Sequence, residues 1–251
     1  AIAGLSGVLA GVFMVHFAIN PFLSLIITLL MGALFGFTNG LLISGLSLNP
    51  LVVTIGMQGV FLGVNLVITK GAAITGIPKS ILFLGQSSVF GVPLPVIVML
   101  VVLIIVQFVV KYTKYGRYIY AIGNSKETAR MLGVKVKQVR ILTYMIVGSL
   151  SALAGLLMVA RLGSSQPSIG NPWVLDSIAS AVIGGVALSG GIGSPIGGLI
   201  GAALIAVIDN LIVLIGVSPY WQTAVSGLAI VIAISIGPVS NMLRHVRQEE
   251  Q

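Results

Sequence analysis

The 251-residue chain is short of charge: 13 basic and 5 acidic side chains make up only 7% of it. A soluble domain carries roughly a quarter charged residues. So few ionic groups cannot cover a water-facing surface, which excludes the ordinary soluble classes. Disorder is excluded as well, because it needs high charge and low hydrophobicity. Cysteine is absent, which rules out disulfide staples and thiolate metal sites. The two histidines, His16 and His245, lie far apart in sequence, so no metal-ligand spacing arises and no metal site is expected. No G-x-x-x-x-G-K-S/T run occurs, so the chain has no P-loop of its own. The segment Gly163-Ser-Ser165-Gln-Pro has the look of a serine nucleophile turn, but no histidine lies in a later span to act as its base. An enzyme is therefore not expected, nor a cofactor held by this chain.

What is present is apolar. The apolar class makes up 57% of the residues, and the mean hydropathy is +1.14. A spanning helix needs about 20 mostly apolar residues. Such segments are predicted at 1–18, 22–46, 50–69, 94–110, 141–160, 196–215 and 221–237, with a weaker, glycine-rich one at 174–190. Runs such as 94–110 do not alternate between apolar and polar residues, which excludes barrel strands. The expected fold is an all-α, polytopic transmembrane bundle of about eight segments, one of them short and broken by glycine, forming a single domain over 1–251. Asn20-Pro21, Asn49-Pro50, Asn171-Pro172, Ser194-Pro195 and Ser218-Pro219 stand at the openings of candidate helices. There Asn or Ser serves as N-cap and Pro fits the first turn. The chain opens at Ala1 inside an apolar run with no basic n-region, so no signal peptide is expected.

The few charges are clustered. Lys111, Lys114, Arg117, Lys126, Arg130, Lys135, Lys137 and Arg140 all fall within 111–140, which the positive-inside rule places in the cytoplasm. Arg244 and Arg247 place the C-terminus there too, so four crossings are expected after residue 140, and Lys70, Lys79 and Arg161 fall outside. The basic balance thus reflects topology and a docking surface, not nucleic-acid binding. Within the loop, Asn124 as cap, Glu127 three residues later and Gly133 as stop predict a short helix over 124–133.

Glycine is abundant, with 32 residues. Gly32, Gly36 and Gly40 share one helix face, as do Gly193, Gly197 and Gly201, Gly59 and Gly63, and Gly148 and Ala152. Such stripes let helix backbones approach closely in lipid. Gly184, Gly185, Gly190, Gly191 and Gly193 are too dense for a helix interior. A break between 188 and 195 is expected, and irregular backbone at membrane depth must be enclosed by protein or line a cavity.

The loop Gly116–Arg140 resembles the coupling loop of permease subunits of ATP-binding-cassette (ABC) sugar importers of the ribose, xylose and autoinducer-2 group. The resemblance continues through Ala160-Arg-Leu-Gly-Ser-Ser-Gln-Pro167, Leu175-Asp-Ser-Ile-Ala-Ser-Ala-Val-Ile-Gly-Gly185, Gly190-Gly-Ile-Gly193, Gly197-Gly-Leu-Ile-Gly-Ala202 and Gly216-Val-Ser-Pro-Tyr-Trp221. It implies a multi-pass subunit of the bacterial cytoplasmic (inner) membrane that forms the path for a ribose-like monosaccharide. The implied partners are a cytosolic ABC ATPase holding ATP and Mg, an extracytoplasmic sugar-binding protein and a second permease subunit, identical or paralogous. Members of this family carry further helices upstream, so the chain is expected to be N-terminally incomplete. Asn124, Ser125, Lys126, Glu127, Arg130 and Gly133 are then the ATPase-coupling residues. An uncharged sugar needs hydrogen-bonding groups on its path, for which Asn39, Gln58, Asn65, Asp209 and Asn210 are candidates, Thr54 a weaker one, with the glycines at 184, 185, 190 and 191 beside them. Each of those polar residues could instead serve an interhelical hydrogen bond. Arg161 and Asp176 bracket one outer loop, where they would pair or contact the binding protein; Trp173, Tyr220 and Trp221 suit an outer interface belt. The competing readings are a branched-chain amino-acid ABC permease, an ATP-independent secondary transporter or channel, and a membrane scaffold.

Overall fold

The computed structural model describes residues 1–216, 218, 221, 222, 224, 225, 227 and 228. In chain order the elements are α1 (Ile2–Val15), α2 (Pro21–Gly45), α3 (Pro50–Thr69), α4 (Lys79–Gln86), β1 (Ser88–Val89), β2 (Val92–Pro93), α5 (Leu94–Tyr112), α6 (Lys114–Asn124), α7 (Lys126–Met131), α8 (Val136–Leu162), α9 (Trp173–Ile183) and α10 (Pro195–Leu214). Among the described residues, α2, α3, α5, α8 and α10 are long and apolar enough to cross a membrane. They coincide with the expected segments at 22–46, 50–69, 94–110, 141–160 and 196–215. The segment 221–237 and the basic residues Arg244 and Arg247 lie outside the described residues, apart from isolated positions up to 228.

Three of the predicted caps form. The Asn20 and Asn49 side-chain oxygens accept from the Phe22 and Leu51 N–H groups at 2.9 Å, and Ser194 Oγ accepts from the Gly197 N–H at 3.0 Å. In each case proline occupies the first helical turn, where its missing N–H costs nothing. Asn171-Pro172 departs from the pattern: Pro172 itself is the N-cap of α9, with no side-chain cap bond. Pro219 lies outside the described residues.

The chain divides into two compact units, Ala1–Ile104 with Leu132–Asn171, and Ile105–Met131 with Pro172 onward. In the first unit α8 is the central element. The stripe Gly32, Gly36 and Gly40 of α2 lies on α8: a side chain at Gly36 would run into the Tyr144 carbonyl, and its Cβ would sit 3.0 Å from the Met145 Cα. Gly148 returns the contact, with the Gly36 Cα 3.0 Å from where its own Cβ would be. Here the stripes are packing surfaces. Further along the same face α8 receives α1, with Gly155 against the Ala3 backbone and Gly7 against Val159. Leu5, Val8, Ile43, Leu156 and Val159 are fully buried. Hydroxyls tie the helices further: Ser149 Oγ donates to the Leu29 carbonyl at 3.3 Å, and Ser165 Oγ donates to the Gly7 carbonyl at 3.0 Å.

Equal spacing does not mean equal use. A side chain at Gly59 or Gly63 of α3 would meet no described atom within 4 Å, so this stripe is open where the α2 stripe is filled. No residue of α5 is buried, as suits a helix that presents apolar side chains to lipid.

Two segments are shorter than the sequence pattern suggests. The 14 residues of α1 reach about 21 Å and the 11 of α9 about 16 Å, against a hydrocarbon core of about 30 Å. The helix expected over 174–190 stops earlier than the predicted break: Gly184 is its C-cap and Gly185 follows at φ +81°. The Gly185 N–H donates to the Val182 carbonyl at 3.0 Å and the Val186 N–H to the Ala181 carbonyl at 2.9 Å, while Gly184 lies on the backbone of Gly197 in α10.

Candidate functional site

The basic loop is folded as two short helices. Thr113 Oγ1 caps α6 by accepting from the Gly116 N–H at 3.3 Å, and Gly116 is pressed against the Val110 backbone in the last turn of α5. α6 ends at Asn124. Ser125 then joins the two helices, its N–H donating to the Ala121 carbonyl at 3.0 Å while its Oγ accepts from the Thr128 N–H at 3.2 Å. This corrects the expected helix over 124–133. Asn124 closes α6 rather than opening α7, the cap is Ser125, and the N–H it accepts from is that of Thr128 rather than Glu127. The capping box therefore does not form.

α7 keeps the expected charge arrangement, with Glu127 in its first turn and Arg130 in its last, each favourable to the helix dipole. Lys126, Glu127 and Arg130 are exposed while Ala129 is buried, so α7 is anchored by one face and presents its ions on the other. Gly133 has φ +79°, the left-handed conformation predicted for the stop. A Gly133→Val variant, β-branched in that region, is expected to destabilise the end of α7 by about 1–3 kcal/mol; faster proteolytic nicking at 131–135 would report it, and unchanged nicking would count against the stop. Sequence reasoning missed Met131 and Leu132, which are 86% and 75% exposed beside the charges. Their signal is an apolar pair immediately before a helix-stopping glycine.

The second candidate element, the glycine-rich segment, comes to the same place. Gly190 and Gly191, both in the left-handed region, form a turn in which the Gly190 N–H donates to the Ala187 carbonyl at 2.9 Å and the Ala187 N–H to the Ile192 carbonyl at 3.0 Å. The turn sits on the end of α6: a side chain at Gly191 would collide with Asn124, and one at Gly190 would lie 3.2 Å from the Gly123 Cα. Tyr120 Oη donates to the Gly193 carbonyl at 2.7 Å. Gly184 lies against Gly197, and Gly185 is exposed. Asn124, Gly190 and Gly191, chosen for different roles, are thus neighbours in the second unit.

The polar candidates are dispersed. Asn39 on α2 is buried, its Oδ1 without a hydrogen-bond partner among the described residues, and Gln58 on α3 is half-buried. Thr54 Oγ1 donates to the Pro50 carbonyl at 2.9 Å and so serves its own helix. Asn65 is 2% exposed, and its Nδ2 donates to the Pro167 carbonyl at 3.0 Å. That bond ties α3 to the loop after α8, the interhelical alternative for this residue. Asn65→Ala is expected to lower stability by about 1–2 kcal/mol, since the half-buried Pro167 carbonyl loses its donor; a thermal midpoint in detergent equal to wild type would refute this. In the second unit Asp209 is half-buried on α10 and Asn210 is exposed. Arg161 is exposed in the last turn of α8, where its carbonyl accepts from Gln86 Nε2 at 3.2 Å; Asp176 is half-buried in the first turn of α9. Trp173 opens α9, Trp221 is 60% exposed, and Tyr220 lies outside the described residues.

Five helices long and apolar enough to span, among the described residues, define a polytopic helical membrane protein. Residues 1–234 match the family described as branched-chain amino acid transport system, permease component, and the chain belongs to that family. It is 39% identical over 231 residues to the ribose import permease protein RbsC of Bacillus subtilis, covering 91% of this chain and 71% of that one. It is 36% identical over 244 residues to the fructose import permease protein FrcC of Rhizobium meliloti, covering 94% and 68%. To the D-allose transport system permease protein AlsC of Escherichia coli it is 34% identical over 237 residues, covering 94% and 72%. No solved structure matches the chain.

Proposed function

We propose that this chain is the permease subunit of an ATP-driven importer and forms the translocation path for a ribose-like monosaccharide. The observation that carries this reading is the similarity, along nearly the whole chain, to permeases of ribose, fructose and allose import. The family's own description points to branched-chain amino acids, but these relatives, all named for monosaccharides, favour the sugar.

In this reading the protein is a multi-pass component of the bacterial inner membrane, with the segment 111–140 and the C-terminus in the cytoplasm. The cluster of basic residues supports that orientation. A cytosolic ATPase holds ATP and Mg and docks on α7 through Lys126, Glu127 and Arg130, with Asn124, Ser125 and Gly133 shaping the docking segment. A second permease subunit lies alongside, and a sugar-binding protein delivers the substrate from outside, where Arg161 and Asp176 offer contacts. ATP binding closes the ATPase pair and displaces α7. The bundle then shifts between two access states, an equilibrium biased by the partner. The sugar passes hydrogen-bonding groups, for which Asn39, Gln58, Asp209 and Asn210 are the candidates; Asn65, whose Nδ2 is already engaged, is a weaker one.

The test is reconstitution of the chain with the ATPase and binding protein of its own operon in proteoliposomes. ATP-dependent accumulation of labelled ribose or a related aldose, with hydrolysis stimulated by the loaded binding protein, is the expected result. Leucine accumulation instead would establish the amino-acid alternative. Uptake without any ATPase would overturn the ATP-driven reading.

A further inference from the structure

We infer that the Gly190–Gly193 turn is the element through which displacement of the docking segment reaches α9 and α10, and that Tyr120 is the positioning residue that holds the turn on α6. The inference rests on the importer reading above and adds to it the route of transmission.

Two observations carry it. The first is the absence of side chains at the contact. A Cβ on Gly123 would lie 2.7 Å from the Gly191 Cα and 3.1 Å from the Gly190 carbonyl carbon, so the two backbones touch directly. Side chains can absorb a displacement by changing rotamer, whereas closely packed backbones pass it on. The second is the Tyr120 hydrogen bond. It is made from α6 to the last residue of the turn, at 2.7 Å, one position before the residue that caps α10. A short steric contact pushes but does not pull; the hydrogen bond lets the turn follow α6 in both directions.

Both ends of the route are stiff. Upstream, Ser125 belongs to the end of α6 and the start of α7 together, so α7 cannot move without the end of α6. Downstream, α9 and α10 are locked as a pair. A Cβ on Gly201 would lie 2.8 Å from the Ser180 carbonyl carbon, and one on Gly184 would lie 2.9 Å from the Gly198 nitrogen. The pair carries Asp209 and Asn210 on α10. A shift at α7 therefore arrives at the polar candidates of this unit as a movement of a helix pair.

The test uses the complete reconstituted complex and measures ATP hydrolysis and sugar uptake in the same vesicles. Tyr120→Phe keeps the ring and removes the donor, and Gly123→Ala puts a methyl group between the two backbones. With Tyr120→Phe, the ATPase is expected to co-purify at the wild-type ratio and ATP hydrolysis to continue. ATP consumed per sugar should rise about fivefold, the effect of losing one ordinary hydrogen bond from the coupled state. For Gly123→Ala a rise of about tenfold or more is expected, since overpacking at a backbone contact has the larger effect. A merely structural role would lower uptake and hydrolysis together and leave their ratio unchanged, which overturns the inference. So does a wild-type ratio in both variants, or loss of the ATPase from the purified complex, which would make these docking residues. If Gly123→Ala does not fold, Tyr120→Phe alone decides. A wild-type complex without ATP-dependent uptake overturns the importer reading and this inference with it, whereas a working wild type with unaltered variants overturns the inference alone.

Discussion

Gly36→Leu is expected to destabilise the protein by about 3 kcal/mol or more, the upper range of overpacking effects. The site has no room: α2 and α8 meet there backbone to backbone, with Gly36 against the Tyr144 carbonyl and Gly148 against Gly36 in return. A leucine must force the two helices apart, and the Ser149 hydroxyl, 3.3 Å from the Leu29 carbonyl, loses its acceptor with them. α1 packs on the same α8, so the damage spreads through the first unit. The measurement is the temperature at which the detergent-solubilised protein ceases to run as a single species. Gly59→Ala is the contrasting case. Nothing described lies within 4 Å of its Cβ, and alanine is favoured over glycine in a helix interior by about 1 kcal/mol, so no loss of stability is expected. Equal thermal stability of Gly36→Leu and wild type would show that the α2–α8 contact is not as close as described.

The double reversal Lys126→Glu with Arg130→Glu is expected to reduce ATP-dependent uptake by about tenfold or more and to release the ATPase from the purified complex. The two residues are four apart on α7 and therefore share one face, exposed to solvent. Reversal turns a positive face into a negative one, and like charge across a docked interface acts against association. The chain itself should survive the change. Both side chains are exposed, and a negative charge in the last turn of α7 costs only about 0.3–1 kcal/mol. An unchanged thermal midpoint together with loss of the ATPase is thus the expected pair of results. Full uptake by the double variant would remove α7 from the docking surface and with it the role of the basic loop.

The class of the protein was legible in one dimension, because membrane solubility is a matter of composition: too little charge for water and enough apolar length to span lipid. Helix openings at Asn20, Asn49 and Ser194 were legible for a related reason, since a cap bonds to an N–H only two or three residues away. Gly133 belongs with them, as its left-handed φ is a local requirement of the helix end. Local reading began to slip where two helices share a junction. Asn124 has the chemistry of a cap, but α6 extends through it and hands the role to Ser125. It slipped again at the end of α9, where Gly185, left-handed at φ +81°, is a local stop signal but the break was expected only after 188.

What only the tertiary structure decided is which of several equivalent patterns meets a partner. The stripes of Gly32, Gly36, Gly40 and of Gly59, Gly63 have the same spacing, yet one is packed on α8 and the other meets no described atom. Asn65 and Asn39 are both buried asparagines, but only Asn65 has the Pro167 carbonyl opposite its amide. Gly123 gave no sign in sequence of lying on Gly191, with Tyr120 holding the turn beside it. Spacing along a chain sets which side chains share a face. What stands opposite that face depends on how distant segments pack, and that is settled by the fold.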